Sequence, residues 1–511
     1  MNAALRNSFL HSKTVFWLCL SAVFILGAAF RLMALGDSAF RADTIVFYDL
    51  CHSTHSSWTI FVKWIDLLGR TAHFPFPLAL TKGFIDLFRL TPTDFVIRLP
   101  CALCGVAAVG AALWVGWVWR GRWFGLLLAA LCAVNPFHIQ LSREAYFYPT
   151  LVLGAMLLVG CIIRWLRDGF ASQPFGKSAF VVLAVGFLFC TYSHLSGWWL
   201  AVWVSGGILA IAGWRARHVT QGRWDLIVVL CIFVALGLPL CFMPWAAPYF
   251  IQDFLNPEAY ERTKMLMGPS DTPWYVMLYE LGSRMAWGQT PARLAMLAVM
   301  VMLSGWAVMR RFRSERIVVS LVGLIAGAFV LYVVGARLTK NPFDARHVAF
   351  LWPLYQTLLA LGLGELFVVA RAQCFRALKI ALSGLGLGLL VVGIGLNIWP
   401  AWISTQLTGK PAPFKEIAQW CDTQLPARTL VLVERWFDPW NELRVHNSTN
   451  VYFTFTVPSE PEDVFKQMNW PATAKAFFEK FPDAAYLEYC NSERSRMGVL
   501  TNWHFARQVV F

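Results

Sequence analysis

Long apolar runs alternate with short basic connections from Thr14 to Pro400, and the pattern changes at Ala401. Eleven runs come near the roughly 20 residues that cross a hydrocarbon layer. They cover 14–36, 96–118, 123–139, 148–165, 178–194, 196–214, 225–248, 292–309, 317–335, 347–370 and 379–400. Barrel strands would show short segments of alternating polarity, which these runs are not. The prediction is an α-helical polytopic membrane protein with about 11 transmembrane helices. The first run is too long for a signal-peptide core and lacks a small-residue cleavage site, so it reads as a retained span. No long-period repeat and no low-complexity linker appears.

The connections fall into two sets. Arg120 and Arg122, then Arg164, Arg167 and Lys177, then Arg215, Arg217 and Arg223, then Arg310, Arg311, Arg313 and Arg316, then Arg371, Arg376 and Lys379 share one side with Arg6 and Lys13. Positive charge in short loops marks the cytoplasmic face. Eleven spans then put the C-terminus outside, together with a first outer loop at 37–95 and a second large one at 251–291. The expected setting is the inner (plasma) membrane, with a cytoplasmic N-terminus and an extracytoplasmic C-terminal domain.

Composition agrees with this layout. Hydrophobic residues make up 58% of the 511, charged residues only 14%, and the mean hydropathy is +0.55. The net charge of +14 would suggest nucleic acid only if it were gathered on a soluble face. It is not: residues 401–511 hold eleven Lys/Arg and twelve Asp/Glu. No nucleic-acid partner is expected. The lipid bilayer is the expected partner of the basic connections and of the 25 Trp and 40 Phe. Cys101 and Cys104 lie inside an apolar run and read as packing residues. Cys421 and Cys490 both lie in the tail, where an oxidising compartment would let them pair, though spacing alone does not establish it.

The tail, 401–511, reads as a soluble α/β domain beside a transmembrane domain at 1–400. Phe414–Leu425 has helical periodicity and Ala472–Phe481 follows Pro471. Thr429–Val433, Tyr452–Phe455 and Ala485–Tyr489 have the apolar, β-branched and aromatic character of strands.

Candidate chemistry gathers at the outer ends of the predicted spans. Asp43 and Asp49 follow span 1, and acidic groups held that close to hydrocarbon are costly unless used. Ser142-Arg143-Glu144-Ala-Tyr-Phe-Tyr148 joins spans 3 and 4, Tyr192 and His194 close span 5, and Arg346 and His347 open span 10. The short loop 336–346 breaks the charge rule by placing Arg337, Lys340 and Arg346 outside. Snorkelling to headgroups would explain these cations, and so would a lipid-phosphate site read by guanidinium donors. No metal-ligand spacing is visible, so no tightly bound cofactor is expected and a divalent cation stays open.

In this order the motifs resemble those of the polytopic glycosyltransferases of the GT-C fold, in the branch of the protein O-mannosyltransferases and the lipid A aminoarabinose transferase. The resemblance covers roughly residues 14–400. It rests on Arg31 followed by Asp43, Arg98-Leu-Pro100, Ser142-Arg-Glu144-Ala-x-x-Tyr148, Tyr192-Ser-His194, and Pro342-x-x-x-Arg346 with Pro353 downstream. Departures are Thr44 after Asp43, Tyr146 in the place of an arginine, and His347 in the place of a tyrosine.

What the resemblance implies is sugar transfer from a polyprenyl-phosphate-linked donor to a glycan, lipid or protein acceptor at the outer face, with inversion. Asp43 would then be the general base and Glu144 a second acid that orients the acceptor or a divalent ion. Arg346, Lys340 and Arg337 would hold the lipid phosphate. Arg143, Tyr148, Tyr192, His194 and His347 would meet the sugar or acceptor. The alternative is a transporter or flippase of lipid-linked sugars, which would share the groove and the cations. Against it, neither an inverted repeat nor paired broken helices with midplane charge is visible, and Glu365 is the exceptional acid at membrane depth.

Overall fold

Helix occupies every apolar run. The computed structural model describes residues 13–36, 45–60, 75–169, 176–246, 290–339 and 349–407, and strands at 430–434, 451–455, 485–488 and 508–510. In chain order the helices are α1 (Lys13–Leu32), α2 (Ile45–His52), α3 (Pro75–Phe88), α4 (Asp94–Arg120), α5 (Arg122–Ala133), α6 (Pro136–Arg143) and α7 (Tyr148–Asp168). They continue as α8 (Lys177–Thr191), α9 (Leu195–His218), α10 (Gly222–Ala246), α11 (Pro291–Arg311), α12 (Arg316–Thr339), α13 (Trp352–Ala372) and α14 (Arg376–Leu407). Among the described residues, 7 helices are long and apolar enough to cross a membrane, or 8 if one bent pair counts as a single span.

The bent pair is a correction to the expected continuous run 123–139. Helices α5 and α6 meet at 63°. Pro136 has no N–H to give and disfavours helix at Asn135, so α5 ends and a new helix starts. The Asn135 side chain caps that start by accepting the His138 N–H at 3.0 Å. A second difference lies in α12, which runs to Thr339 and takes in Arg337 instead of leaving it in a loop.

Helix α7 is the centre of the bundle: 83% of its apolar window is buried, against 11% for α14. Helices α4 and α5 cross with backbones in contact. A methyl on Gly116 would lie 2.6 Å from the Gly125 Cα, so only glycine permits the approach.

One end of the bundle is tied by ion pairs among the predicted cytoplasmic connections. Glu365 of α13 has no exposed surface and meets Arg120 of α4 at 2.5 Å and Arg311 of α11 at 3.0 Å. Arg120 also meets Glu315 at 2.6 Å, and Glu315 accepts the Trp119 indole N–H at 2.6 Å. Nearby spans repeat the device: Arg215 pairs with Asp225 at 2.8 Å and donates to the Gly169 carbonyl. Each buried charge is thereby paired and hydrogen-bonded, which low-dielectric surroundings demand.

The tail strands β1 (Leu430–Glu434), β2 (Val451–Phe455), β3 (Ala485–Glu488) and β4 (Gln508–Val510) form a parallel sheet in the order β2-β1-β3-β4. Leu432 pairs with Phe453 on one side and Tyr486 on the other, and Leu487 with Val509. Parallel neighbours require crossover connections rather than hairpins. Three strands fall where the sequence puts them. The expected helices 414–425 and 472–481, and Cys421 and Cys490, lie outside the described residues.

Candidate active site

At the end of α4 opposite Arg120, three arginines gather on the end of α1. Thr93 caps the start of α4 by accepting the Val96 N–H at 3.3 Å. One turn on, buried Arg98 donates to the Leu35 carbonyl at 3.3 Å. Arg31, in the last turn of α1, is fully enclosed. It donates to the carbonyls of Gly27 (2.8 Å), Cys132 (3.1 Å) and Ala133 (3.1 Å), and to Nδ1 of His138 (2.7 Å). Gly105 of α4 makes room, since a side chain there would collide with Ser142 and Arg31.

Arg143 closes α6 and reaches back to α1. Its guanidinium donates to the carbonyls of Phe30 (3.2 Å), Arg31 (3.4 Å), Met33 (2.6 Å) and Ala34 (3.0 Å). Ala34 has φ 51°, a left-handed conformation more usual for glycine or asparagine after a helix. Both Nη atoms of Arg143 are thus engaged with this backbone.

Glu144 follows in extended conformation and is half-buried. Its carbonyl accepts the Tyr146 N–H at 2.8 Å, and the Cys101 thiol of α4 donates to the Tyr146 carbonyl at 3.4 Å. The turn is packed with rings. Tyr146 and Phe147 centroids lie 3.8 Å apart, and Phe147 stacks on His194 at 4.7 Å. Tyr148 lies 5.8 Å from His194. Phe47 of α2 stands 6.4 Å from Tyr146, which docks α2, in the connection after α1, on the Glu144 turn. His194 caps α9, its Nδ1 accepting the Ser196 N–H at 3.2 Å.

The structure therefore brings Tyr148 and His194 together on the turn that follows Glu144, while the Arg143 guanidinium reaches α1. Tyr192 faces elsewhere, donating its hydroxyl to the Leu236 carbonyl of α10 at 2.8 Å. Asp43, Lys340, Arg346 and His347 lie outside the described residues, as do the side chains of Asp49 and Arg337. Sequence reasoning missed His138, which is fully buried and stacks on Trp352 of α13 at 4.5 Å. Its place one turn before Ser142 on α6 was the available signal. No group of three or more His, Cys, Asp or Glu side chains converges among the described residues, so these alone do not make a divalent-cation site.

No protein-family model and no curated protein matches the chain. Solved structures do. ArnT from Cupriavidus metallidurans bound to undecaprenyl phosphate aligns over 96% of this chain and 92% of its own, with 12% identity and a TM-score of 0.52. An Archaeoglobus fulgidus oligosaccharyltransferase in complex with Zn and sulfate aligns over 84% of this chain and 61% of its own, at 14% identity and TM-score 0.52. The same archaeal AglB with an inhibitory peptide and a dolichol-phosphate aligns over 86% and 64%, at 12% identity and TM-score 0.51. The chain thus spans less than two thirds of the archaeal enzyme. Both relatives carry the GT-C fold of membrane glycosyltransferases, and that fold is shared here.

Proposed function

We propose that this protein is a glycosyltransferase that moves a sugar from a polyprenyl-phosphate-linked donor to an acceptor at the outer face of the membrane. The observation that carries the reading is the docking of α2, in the connection after α1, on the Glu144 turn through Phe47 and Tyr146, within a GT-C fold whose relatives bind undecaprenyl or dolichol phosphate. The proposed topology is eleven spans with a cytoplasmic N-terminus, a transmembrane domain at 1–400 and an extracytoplasmic α/β domain at 401–511, which the parallel strand order supports.

In the proposed reaction an acceptor hydroxyl oxygen attacks the anomeric carbon opposite the phosphate. The bond from that carbon to the phosphate oxygen breaks, and its electron pair leaves on the polyprenyl phosphate. Asp43 takes the hydroxyl proton, which makes it the general base. Arg346, with Lys340 and Arg337, meets the charge that grows on the leaving phosphate. Glu144 orients the acceptor, with Tyr148, His194 and His347 around the sugar. Inversion follows from a single attack on the far face. A transferred hexose and a transferred pentose are equally compatible with these roles.

The test is Asp43→Asn, which keeps the size and removes the proton acceptor. Transfer should fall about 100-fold or more while donor affinity is kept. Near-parental turnover would take Asp43 out of the mechanism.

A further inference from the structure

Helices α1 and α5 both end inside the protein, and neither ends on glycine. The last carbonyls of a helix have no partner within it and need donors from elsewhere. Ala34, left-handed at φ 51°, stands where a capping glycine would serve after α1, and α5 ends at Val134 with an ordinary φ of −103°. Two arginines supply the donors, and they do so reciprocally between α1 and the bent α5–α6 pair. Arg31 of α1 closes the end of α5 through the Cys132 and Ala133 carbonyls. Arg143, at the far end of α6, closes the end of α1 through Phe30, Arg31, Met33 and Ala34. Each cation also lies where the helix dipole is negative. His138, in the first turn of α6, adds a third point because its Nδ1 accepts from Arg31.

We propose that Arg31 and Arg143 are paired positioning residues: a reciprocal clasp that holds the Glu144 turn and the departure of the first outer loop at Gly36 in one frame for the transfer step. This rests on the transferase reading for its catalytic consequence. The clasp itself stands on the two sets of carbonyls. Glu144 follows Arg143 directly, and Phe47 of α2, early in the same connection, meets Tyr146 of this turn. A frame error of about 1 Å in such a site can lower a rate by about 100-fold without touching a substrate contact.

The test uses the full chain in detergent as Arg143→Gln, Arg143→Lys and Arg31→Lys. Three quantities are read: hydrogen exchange of peptides covering 27–36 and 128–136, affinity for undecaprenyl phosphate alone, and kcat and KM for transfer. The clasp predicts that Arg143→Gln raises exchange in both peptides, although it removes bonds to only one of them. Undecaprenyl phosphate affinity should stay within about twofold, and kcat should fall roughly 10- to 100-fold at little-changed KM. Arg143→Lys, which keeps the charge and one donor head, should recover part of kcat. Unchanged exchange in 128–136 would overturn the reciprocity. A loss of undecaprenyl phosphate affinity or a raised KM with kcat kept would make Arg143 a substrate ligand and overturn the proposal. If Arg143→Gln does not fold, the two lysine variants carry the same comparison. A parent that transfers no sugar would refute the transferase reading, while the exchange pattern would still decide the clasp.

Discussion

The Arg120 guanidinium lies 2.5 Å from Glu365, a carboxylate with no exposed surface, and Arg311 approaches the same Oε1 at 3.0 Å. One acid from α13 thus ties Arg120 of α4 to Arg311 and Arg310 of α11, the last at 3.8 Å from Oε2. Burial removes the water that would otherwise screen these charges, so each depends on the others. Glu365→Ala removes the carboxylate shared by three guanidinium groups, of which Arg120 keeps Glu315. The expected cost is about 3–5 kcal/mol, read as a lowered midpoint in tryptophan-monitored unfolding in detergent. Glu365→Gln keeps the volume and one acceptor and should cost less. An unshifted midpoint for Glu365→Ala would mean that water reaches the cluster and screens it.

The cations proposed to hold the lipid phosphate make a different prediction. Arg346→Lys keeps the charge and loses the planar fork of donors that fits phosphate oxygens. It should weaken undecaprenyl phosphate binding nearly as much as Arg346→Ala, by roughly 2–4 kcal/mol. Lys340→Ala should be milder, since a lysine offers one flexible point charge where an arginine offers a fork of donors. Parental affinity in Arg346→Ala would show that these cations serve only the membrane surface.

Orientation is testable without any assay of activity. Reporter fusions after Arg217 and after Phe511 should report opposite sides of the membrane, because the short-loop cations assign Arg217 to the cytoplasm. Signals from the same side would overturn the eleven-span count and move the proposed site with it.

The helices were legible because an apolar run of span length has few other uses, so the runs and the helices coincide. The break between α5 and α6 was not placed, since hydropathy stays high across Asn135-Pro136 and only proline geometry separates the two. Helices α2 and α3 were also missed: both are short and lie in a loop of mixed polarity. Three tail strands were read from β-branched runs, but Gln508–Val510, with three residues, is too short to carry a period. The Glu144 turn, Tyr148 and His194 were expected together and are together. Tyr192, two residues before His194, sits at the end of a different helix and turns to α10. The sequence shows that Arg31 and Arg143 are costly to bury, and it carries no sign that their partners are carbonyls more than a hundred residues away.

The transferase reading stands or falls on where the sugar goes. Purified protein in proteoliposomes, given a polyprenyl-phosphate donor labelled in the sugar and an extract of envelope acceptors, should move the label off the lipid. Free polyprenyl phosphate should appear in equal amount, and the bond broken should be the one between the anomeric carbon and the phosphate oxygen. Label that crosses the bilayer still attached to its polyprenyl phosphate, with no free carrier released, would contradict the account and identify a flippase.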